Sequence, residues 1–176
     1  MSIVISGVLI ISSFLLASLL MFGSFLSTSG TQAQSIRDLG RLNQQKAGSE
    51  IRITSGIVTA SVTGSGTDMT LLVDNTGSQS VQSFNEMDVI IQYTDTTDAT
   101  VLKYLTYNDG GAGENQWTNP VTGGITPDTY NPRMWDPDET MTIKLRVLPL
   151  VKLGTSALVV VNTPKAARDQ TLVSHD

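Results

Sequence analysis

The chain has 176 residues and a formal net charge of −5, with no cysteine and one histidine. The absence of cysteine excludes disulfides and thiolate metal sites, and the acidic balance speaks against nucleic acid and anionic lipid surfaces as partners. One helix plus one domain of ordinary size accounts for this length.

The N-terminal segment is uncharged, because no charged residue occurs before Arg37. Its inner part, Ile3 to Leu26, is almost wholly apolar, and about 20 such residues cross a bilayer as a helix. Apolar residues continue at helical spacing towards Gly48, a natural helix stop. The sequence therefore predicts one long hydrophobic α-helix over residues 1–48.

The helix has no basic residue in front of it and no small-residue cleavage site behind it. A secretory signal peptide opens with a basic region, and a membrane anchor usually has positive charge on its cytoplasmic flank. We therefore expect that a short basic leader was removed just before Met1 and that the apolar segment is retained.

One narrow face of this helix carries small residues. At about 100° per residue, the following side chains fall within one arc: Ser2, Ser6, Ser13, Ala17, Ser24, Thr31 and Ser35. Small residues let apolar helices approach closely. The predicted self-assembly helix combines members of this stripe with bulky neighbours: Ile3, Ser6, Leu9, Ser13, Phe14, Ala17, Leu20, Phe22, Ser24 and Phe25. A single-span anchor with incidental serines is an equally open interpretation.

From residue 49 onward, alternation of apolar and polar residues replaces helical spacing and predicts short strands separated by turns. The first begins at Ile51, with a bulge at Ser55–Gly56 and a hairpin turn at residues 64–68. The others are Met69–Val73, Val81–Phe84, Met87–Tyr93, Val101–Tyr107, Met141–Val147 and Ala157–Asn162. Strands without an intervening helix predict an antiparallel immunoglobulin-like β-sandwich over residues 49–176, so the class is α+β.

The sandwich core is predicted from the inward rows of the two best strands plus one adjacent aromatic residue: Val89, Ile91, Trp117, Ile143, Leu145 and Val147. The long segment between residues 108 and 139 is predicted to be a packed flap, because its large aromatic residues would be costly to leave in water: Trp117, Tyr130 and Trp135. Gly77 is expected to adopt a positive φ in a turn. The tail after Pro164 is predicted to be polar, with one apolar pair, Leu172 and Val173, that could dock on the domain.

Few groups in the chain offer catalytic chemistry. His175 lies in the polar tail and is predicted to be solvated. Two sets of acids can supply oxygen ligands to Ca²⁺, but neither has the spacing of a calcium loop, and turn formation is the simpler interpretation: Asp136, Asp138 and Glu139, and Asp109 with Glu114. We expect no enzymatic activity, no cofactor and no bound metal.

The layout resembles that of type IV pilin-like filament subunits, and among these the archaellins. The resemblance rests on the apolar helix Ile3–Leu26, on Glu50–Gly56, and on the strand and Asn-Thr-Gly turn within Leu71–Ser78. Ile5 stands where bacterial type IV pilins commonly have Glu, which fits archaellins better. The Asn-Thr-Gly turn is equally similar to that of the stator-like accessory proteins of the archaellum.

The resemblance implies a structural subunit of an extracellular archaellum filament for motility, polymerising with itself through helices in the filament core, with the β domains outside. It also implies passage through the membrane, with a prepilin-type signal peptidase and a membrane assembly platform as export partners. Two alternatives stay open: a membrane-anchored stator-like accessory protein that binds a cell-envelope layer, and an adhesive type IV-like pilin. A membrane-anchored enzyme is disfavoured by the residue inventory.

Overall fold

The structure is a computed structural model that describes residues 2–62 and 66–176. At a few helix and strand positions only the backbone is described: residues 2–6, 10, 29, 42, 44–47, 61 and 62. The chain divides into two compact units, residues 1–44 and 45–176. The second unit is called the β domain below.

The first unit is helical. Helix α1 covers Ser2–Ala47, and neither proline nor a charged residue interrupts its first 35 positions. The hydroxyl groups of Thr28, Thr31 and Ser35 donate to carbonyls one turn earlier, over 2.9, 2.8 and 3.0 Å. These polar side chains are thereby satisfied within the helix and do not oppose its burial in an apolar environment.

The described part of the β domain contains nine strands in two layers. One sheet is formed by β1 (Ile51–Val62), β2 (Gly66–Asn75) and β7 (Thr140–Val147), with the short β5 (Gln116–Thr118) and β6 (Ile125–Thr126) against β7. The other has the order β4 (Thr100–Tyr107), β3 (Asp88–Thr94), β8 (Thr155–Asn162), β9 (Arg168–His175). These neighbours are antiparallel, as expected for a sandwich built from short connections.

The two sheets are joined at both sides. At one side β4 and β5 pair in parallel, at Thr106 with Gln116 and at Tyr107 with Trp117. At the other, the amide of Ile53 in β1 donates to the Asp169 carboxylate in β9 over 2.7 Å. Three main strands facing four is an immunoglobulin-like arrangement. The predicted α+β class, with a long apolar helix and a mostly antiparallel β fold, is confirmed.

The core lies between the two sheets and contains every residue predicted for it. Val89, Ile91, Trp117, Ile143 and Val147 have no exposed surface, and Leu145 is 1% exposed. Because successive side chains of a strand point to opposite faces, alternation in the sequence identified the inward rows. Burial of these rows is the main force that holds the sheets together.

Several local predictions are wrong. Residues 81–84 do not form a strand: Val81 makes one isolated bridge to Trp135, and Phe84–Glu86 is a 3₁₀ turn. The long segment contains β5 and β6 and buries Trp117 and Trp135 completely, as predicted, but Tyr130 is 83% exposed. The tail forms a strand that the sequence did not predict, because β9 pairs along the whole of β8. Of the apolar pair expected to dock, Val173 is buried and Leu172 is 67% exposed.

The remaining differences concern turns and one side chain. The register of β1 against β2 shifts between Ile53 and Ser55, one residue before the predicted bulge. Two positions of the predicted hairpin turn, residues 64 and 65, lie outside the described residues. His175 is 8% exposed, with ring Nδ1 3.1 Å from the carbonyl of Val151, so the prediction of a solvated histidine is wrong.

Candidate assembly helix

The predicted assembly residues all belong to α1. At about 100° per residue, nine of the ten share roughly half of the helix circumference, and Phe22 lies on the other side. The side chains of Ile3 and Ser6 are outside the described part of the structure. The helix therefore brings most of these positions to one broad face, and it does not bring Phe22 there.

The large apolar side chains of α1 are exposed all round the helix. Between Val8 and Leu26 their exposed fractions run from 55% to 78%: Val8, Leu9, Ile11, Phe14, Leu15, Leu16, Leu19, Leu20, Met21, Phe22, Phe25 and Leu26. A helix that is apolar on every side belongs inside a membrane or a protein core. Within the described residues, one helical stretch, Gly7–Arg41, is long and apolar enough by length and composition to cross a membrane, and its most apolar 18 residues have a mean hydropathy of 2.3.

A second surface of α1 without bulky side chains, the glycine notch at Gly23 and Gly30, was not identified from the sequence. Gly23 and Gly30 are seven positions apart, and apart from the adjoining backbone of the helix itself no heavy atom lies within 4 Å of the place a Cβ would occupy at either. They lie about 20° apart around the helix and about 100° from the centre of the small-residue stripe. Helix backbones can approach closely at such glycines. The seven-residue spacing of the two glycines is the signal that could have found this notch.

The segment directly after α1 is held by the Asn-Thr-Gly turn. The Ser78 amide donates to the carbonyl of Gly48 over 2.8 Å, and the Gly77 amide donates to that of Glu50 over 2.9 Å. A Cβ at Gly77 would lie 2.6 Å from the Glu50 nitrogen and from the Gly48 oxygen. Gly77 is not among the glycines with positive φ. Close backbone approach, and not the predicted positive φ, is thus the reason for glycine here.

Asn75 fixes the same turn from inside the domain. Its side chain is almost fully buried, and Nδ2 donates to the carbonyls of Gln79 and Trp135 over 2.9 and 3.1 Å. Its Oδ1 accepts from the amide of Gly77 over 3.2 Å. An Asx turn of this kind replaces backbone hydrogen bonds that the turn itself cannot make. The motif behind the family resemblance therefore has a structural task at residues 48–50.

Several polar side chains of the β domain form hydrogen bonds that connect strands or stabilise turns. Arg146 Nη2 donates to Asp68 over 2.7 Å and so links β7 to β2, beside a cleft of about 540 Å³ on the outer face of the first sheet. Glu139 accepts from the amide of Asp136 over 2.9 Å, and Asp136 accepts from the Asn131 side chain over 2.9 Å. These acids stabilise turns, as predicted. The described residues contain no group of three or more His, Asp or Glu side chains placed to hold a metal ion.

Comparison with solved structures shows which known proteins share this fold. The archaeal flagellum of Methanospirillum hungatei strain JF1 matches with a TM-score of 0.61 and 10% identity, over 98% of this chain and 94% of that chain. The archaellum periplasmic stator protein FlaG from Sulfolobus acidocaldarius matches with a TM-score of 0.50 and 14% identity, over 70% of this chain and 98% of that chain. At such identities the likeness establishes a shared fold.

Sequence comparison gives the family. Among curated protein sequences no significant match is found. A sequence model of the archaeal-type flagellin family, in contrast, matches residues 2–171. The match includes both the apolar helix and the β domain and leaves only five C-terminal residues and the first residue outside. The chain belongs to the archaeal-type flagellin family.

Proposed function

We propose that the chain is the structural subunit of an extracellular archaellum filament that serves motility. Residues 1–48 polymerise in the filament core, and residues 49–176 form the outer domain. The observation that carries the proposal is the exposed, all-round apolar surface of α1. Membership of the archaeal-type flagellin family, with a match that includes the helix, supports it.

The length of α1 favours a polymer over a simple anchor. Its 46 residues extend about 69 Å at 1.5 Å per residue, whereas the hydrocarbon core of a bilayer is about 30 Å thick. An anchor requires hydrophobicity alone. The small-residue stripe and the glycine notch add surfaces at which helix backbones can meet, which suits helices that pack against other copies.

The same helix requires a membrane before assembly, since its apolar side chains cannot stay in water. We therefore place the subunit in the membrane first and in a filament on the cell surface afterwards. A prepilin-type signal peptidase and a membrane assembly platform are the partners proposed for this transfer. The filament itself is a homopolymer, so the main partner of the chain is another copy of the same chain.

A stator-like accessory protein that binds a cell-envelope layer is the second candidate. The observation in its favour is the stretch Gly7–Arg41, which is long and apolar enough by length and composition to cross a membrane. An adhesive pilin would use the same helix as a motility filament does. The stator and filament candidates differ in one physical requirement, because only the filament needs close helix packing.

Two substitutions on the small-residue stripe test this requirement. Ser13→Leu and Ala17→Leu add bulk where backbones must approach, and overpacking costs roughly 1–3 kcal/mol at each site. The defect recurs in every subunit, so we expect the double variant to form no filaments. Leu is at least as favourable as Ser or Ala in hydrocarbon, so an isolated anchor tolerates both changes. The measurement is the amount of sheared, pelleted filament relative to the subunit in the membrane fraction.

Leu15→Ile is the matched control, because it keeps the side-chain volume at an exposed position on the same helix and is expected to be mild. Normal filaments from the double variant would show that the stripe is not an assembly contact. A wild-type protein that never leaves the membrane fraction would reject the filament and favour the stator-like candidate.

A further inference from the structure

The outer face of the second sheet carries an apolar band that crosses all four strands. Two neighbouring rows form it, since Gln92 lies opposite Leu102 and Leu158, and Ile90 lies opposite Tyr104 and Val160. Leu172 of β9 continues the first row beside Leu158. The apolar band thus consists of Ile90, Leu102, Tyr104, Leu158, Val160 and Leu172. Leu102, Tyr104 and Leu172 are more than half exposed.

Polar residues border the apolar band at both ends of the strands. Thr94 lies opposite Thr100, and Ser156 opposite Ser174, at one end. At the other end Asp88 accepts from the Asn162 side chain over 3.2 Å and from the Tyr104 hydroxyl over 3.0 Å. The centre is uncharged and mostly apolar, with Gln92 as an exposed polar residue between Leu102 and Leu158. A mostly apolar centre inside a polar rim is the anatomy of a protein interface. A contiguous apolar patch on a domain surface marks an interaction site.

The size of this face indicates what covers it. Four strands spaced by about 4.8 Å, each presenting four residues at about 6.8 Å intervals, span roughly 500 Å². A stable complex of free proteins buries about 800 Å² per partner. The face is therefore too small to hold two free chains together. It suffices when another element already holds the two chains side by side, because the local concentration is then high.

In the proposed filament α1 is that element, so the inference rests on the proposed function. We infer that the apolar band packs against a second copy of this chain in the same filament. A band that met itself would form a closed pair, whereas a filament needs contacts between two different surfaces. The neighbour must therefore present another part of its β domain to the band.

Val121 marks that other surface. It is as exposed as Leu172, and it borders the cleft that Asp68, Lys144 and Arg146 line on the outer face of the first sheet. Strands β2 and β7 beside this cleft belong to the first sheet, whereas the apolar band lies on β4, β3, β8 and β9 of the second. When the apolar band of one copy contacts the Val121 region of the next, the first copy still has a free Val121 region and the second still has a free band. The same contact can therefore repeat along a polymer.

A matched pair of substitutions tests the band. Leu172 and Leu153 are both 67% exposed, but Leu153 lies in the turn between β7 and β8, outside the band. In the full-length chain, Leu172→Lys is expected to lower the yield of pelleted filaments after mild heating several-fold, and Leu153→Lys to leave it unchanged. Equal tryptophan fluorescence unfolding curves for both variants show that the β domain itself is intact.

Cross-linking tests which surface meets the band. The chain has no cysteine, so the double variant Leu172→Cys, Val121→Cys can be joined with a short bismaleimide in assembled filaments. The contact predicts a ladder of trimers and larger species. Dimers from Leu172→Cys alone would overturn the head-to-tail contact, and the absence of any cross-link would overturn the interface. Stable wild-type filaments with an unaffected Leu172→Lys variant reject the inference alone, whereas absence of wild-type filaments rejects the proposed function too.

Discussion

At the scale of single residues, the β domain depends on side chains that meet across strands. Leu145 illustrates this, because it lies opposite Met69 in β2 and opposite Trp117 in β5. All three are buried within one continuous core cluster. A side chain at such a position cannot be shortened without a loss of packing, since protein interiors are close-packed.

Leu145→Ala is therefore expected to lower the free energy of unfolding of the β domain by about 2–5 kcal/mol through cavity formation. The measurement is denaturant unfolding of the full-length chain in detergent, followed by tryptophan fluorescence, because Trp117 and Trp135 are both buried in this domain. Leu153→Ala is the exposed control and should change stability by no more than about 0.5 kcal/mol. Equal midpoints for the two variants would contradict the assignment of Leu145 to the core.

A second residue couples stability to pH. Asp95 is 7% exposed, and its Oδ1 accepts from the amide and hydroxyl of Thr97 over 2.8 and 2.7 Å, and from the Ala99 amide over 3.0 Å. The Thr97 side-chain hydrogen bond lowers the pKa of Asp95, partial burial opposes this, and the two backbone hydrogen bonds add to the lowering. The stabilisation is complete above the unfolded-state pKa, which is about 3.9, and is lost as the pH falls through the folded-state pKa.

Stability of the wild type should consequently fall more steeply than that of Asp95→Asn between about pH 5 and about pH 2. The quantity measured is the free energy of unfolding at each pH. Glu86→Gln, which removes one negative charge from an exposed side chain, is the control and should keep the wild-type slope. If the free energies of unfolding of wild type and Asp95→Asn fell in parallel with decreasing pH, Asp95 would not contribute to the loss of stability in acid.

At the scale of elements, the connection after α1 is determined by backbone contact. The amides of Gly77 and Ser78 hold the carbonyls of Glu50 and Gly48. Space for this contact exists only because residue 77 lacks a Cβ. The Asn-Thr-Gly turn and residues 48–50 therefore form one unit that a single methyl group can disturb.

Gly77→Ala is expected to destabilise the β domain by roughly 1–3 kcal/mol, because the added Cβ would overlap backbone atoms that cannot rotate away. Gly110→Ala is the matched control, since a Cβ at Gly110 meets its nearest atom at an ordinary 3.5 Å. Unfolding midpoints of both variants, measured by tryptophan fluorescence, decide the matter. A Gly77→Ala protein as stable as Gly110→Ala would mean that the turn does not press on residues 48–50.

Strong periodic patterns were sufficient to predict α1 and the alternating strand Thr140–Val147, because composition and alternation directly reflect the solvent that each face meets. Strand β9 escaped prediction, since in Arg168–His175 the apolar Leu172 faces outward and Val173 alone among the apolar residues is buried. Strand β9 forms because it pairs with β8, and this pairing, which includes Thr155 with His175, also brings His175 into a buried position. Strands β5 and β6, of three and two residues, are too short for any period to appear.

For the candidate site the limit is different. Helical spacing was enough to propose the small-residue stripe, because the positions of side chains around a helix follow from the sequence. Which of those faces meets a partner depends on other copies of the chain. The glycine notch at Gly23 and Gly30 was missed for a related reason: a missing side chain creates space, and hydrophobic periodicity registers only the side chains that are present.

At the scale of the whole molecule, two units with opposite solvent requirements share one chain. The uncharged first part of α1 needs an apolar surrounding, whereas most of the acidic and basic residues lie in the β domain. A filament satisfies both requirements, with helices packed against helices and β domains in water. The proposal therefore explains with one assembly both the exposed apolar helix and the concentration of charged residues in the β domain.

Electron microscopy of detergent-free material sheared from cells that produce the wild-type chain tests the proposed filament most directly. The account predicts uniform filaments that contain this chain, with the apolar helices in a central core and the β domains around them. A chain found solely in the membrane fraction, with no filament in the sheared material, would contradict the account.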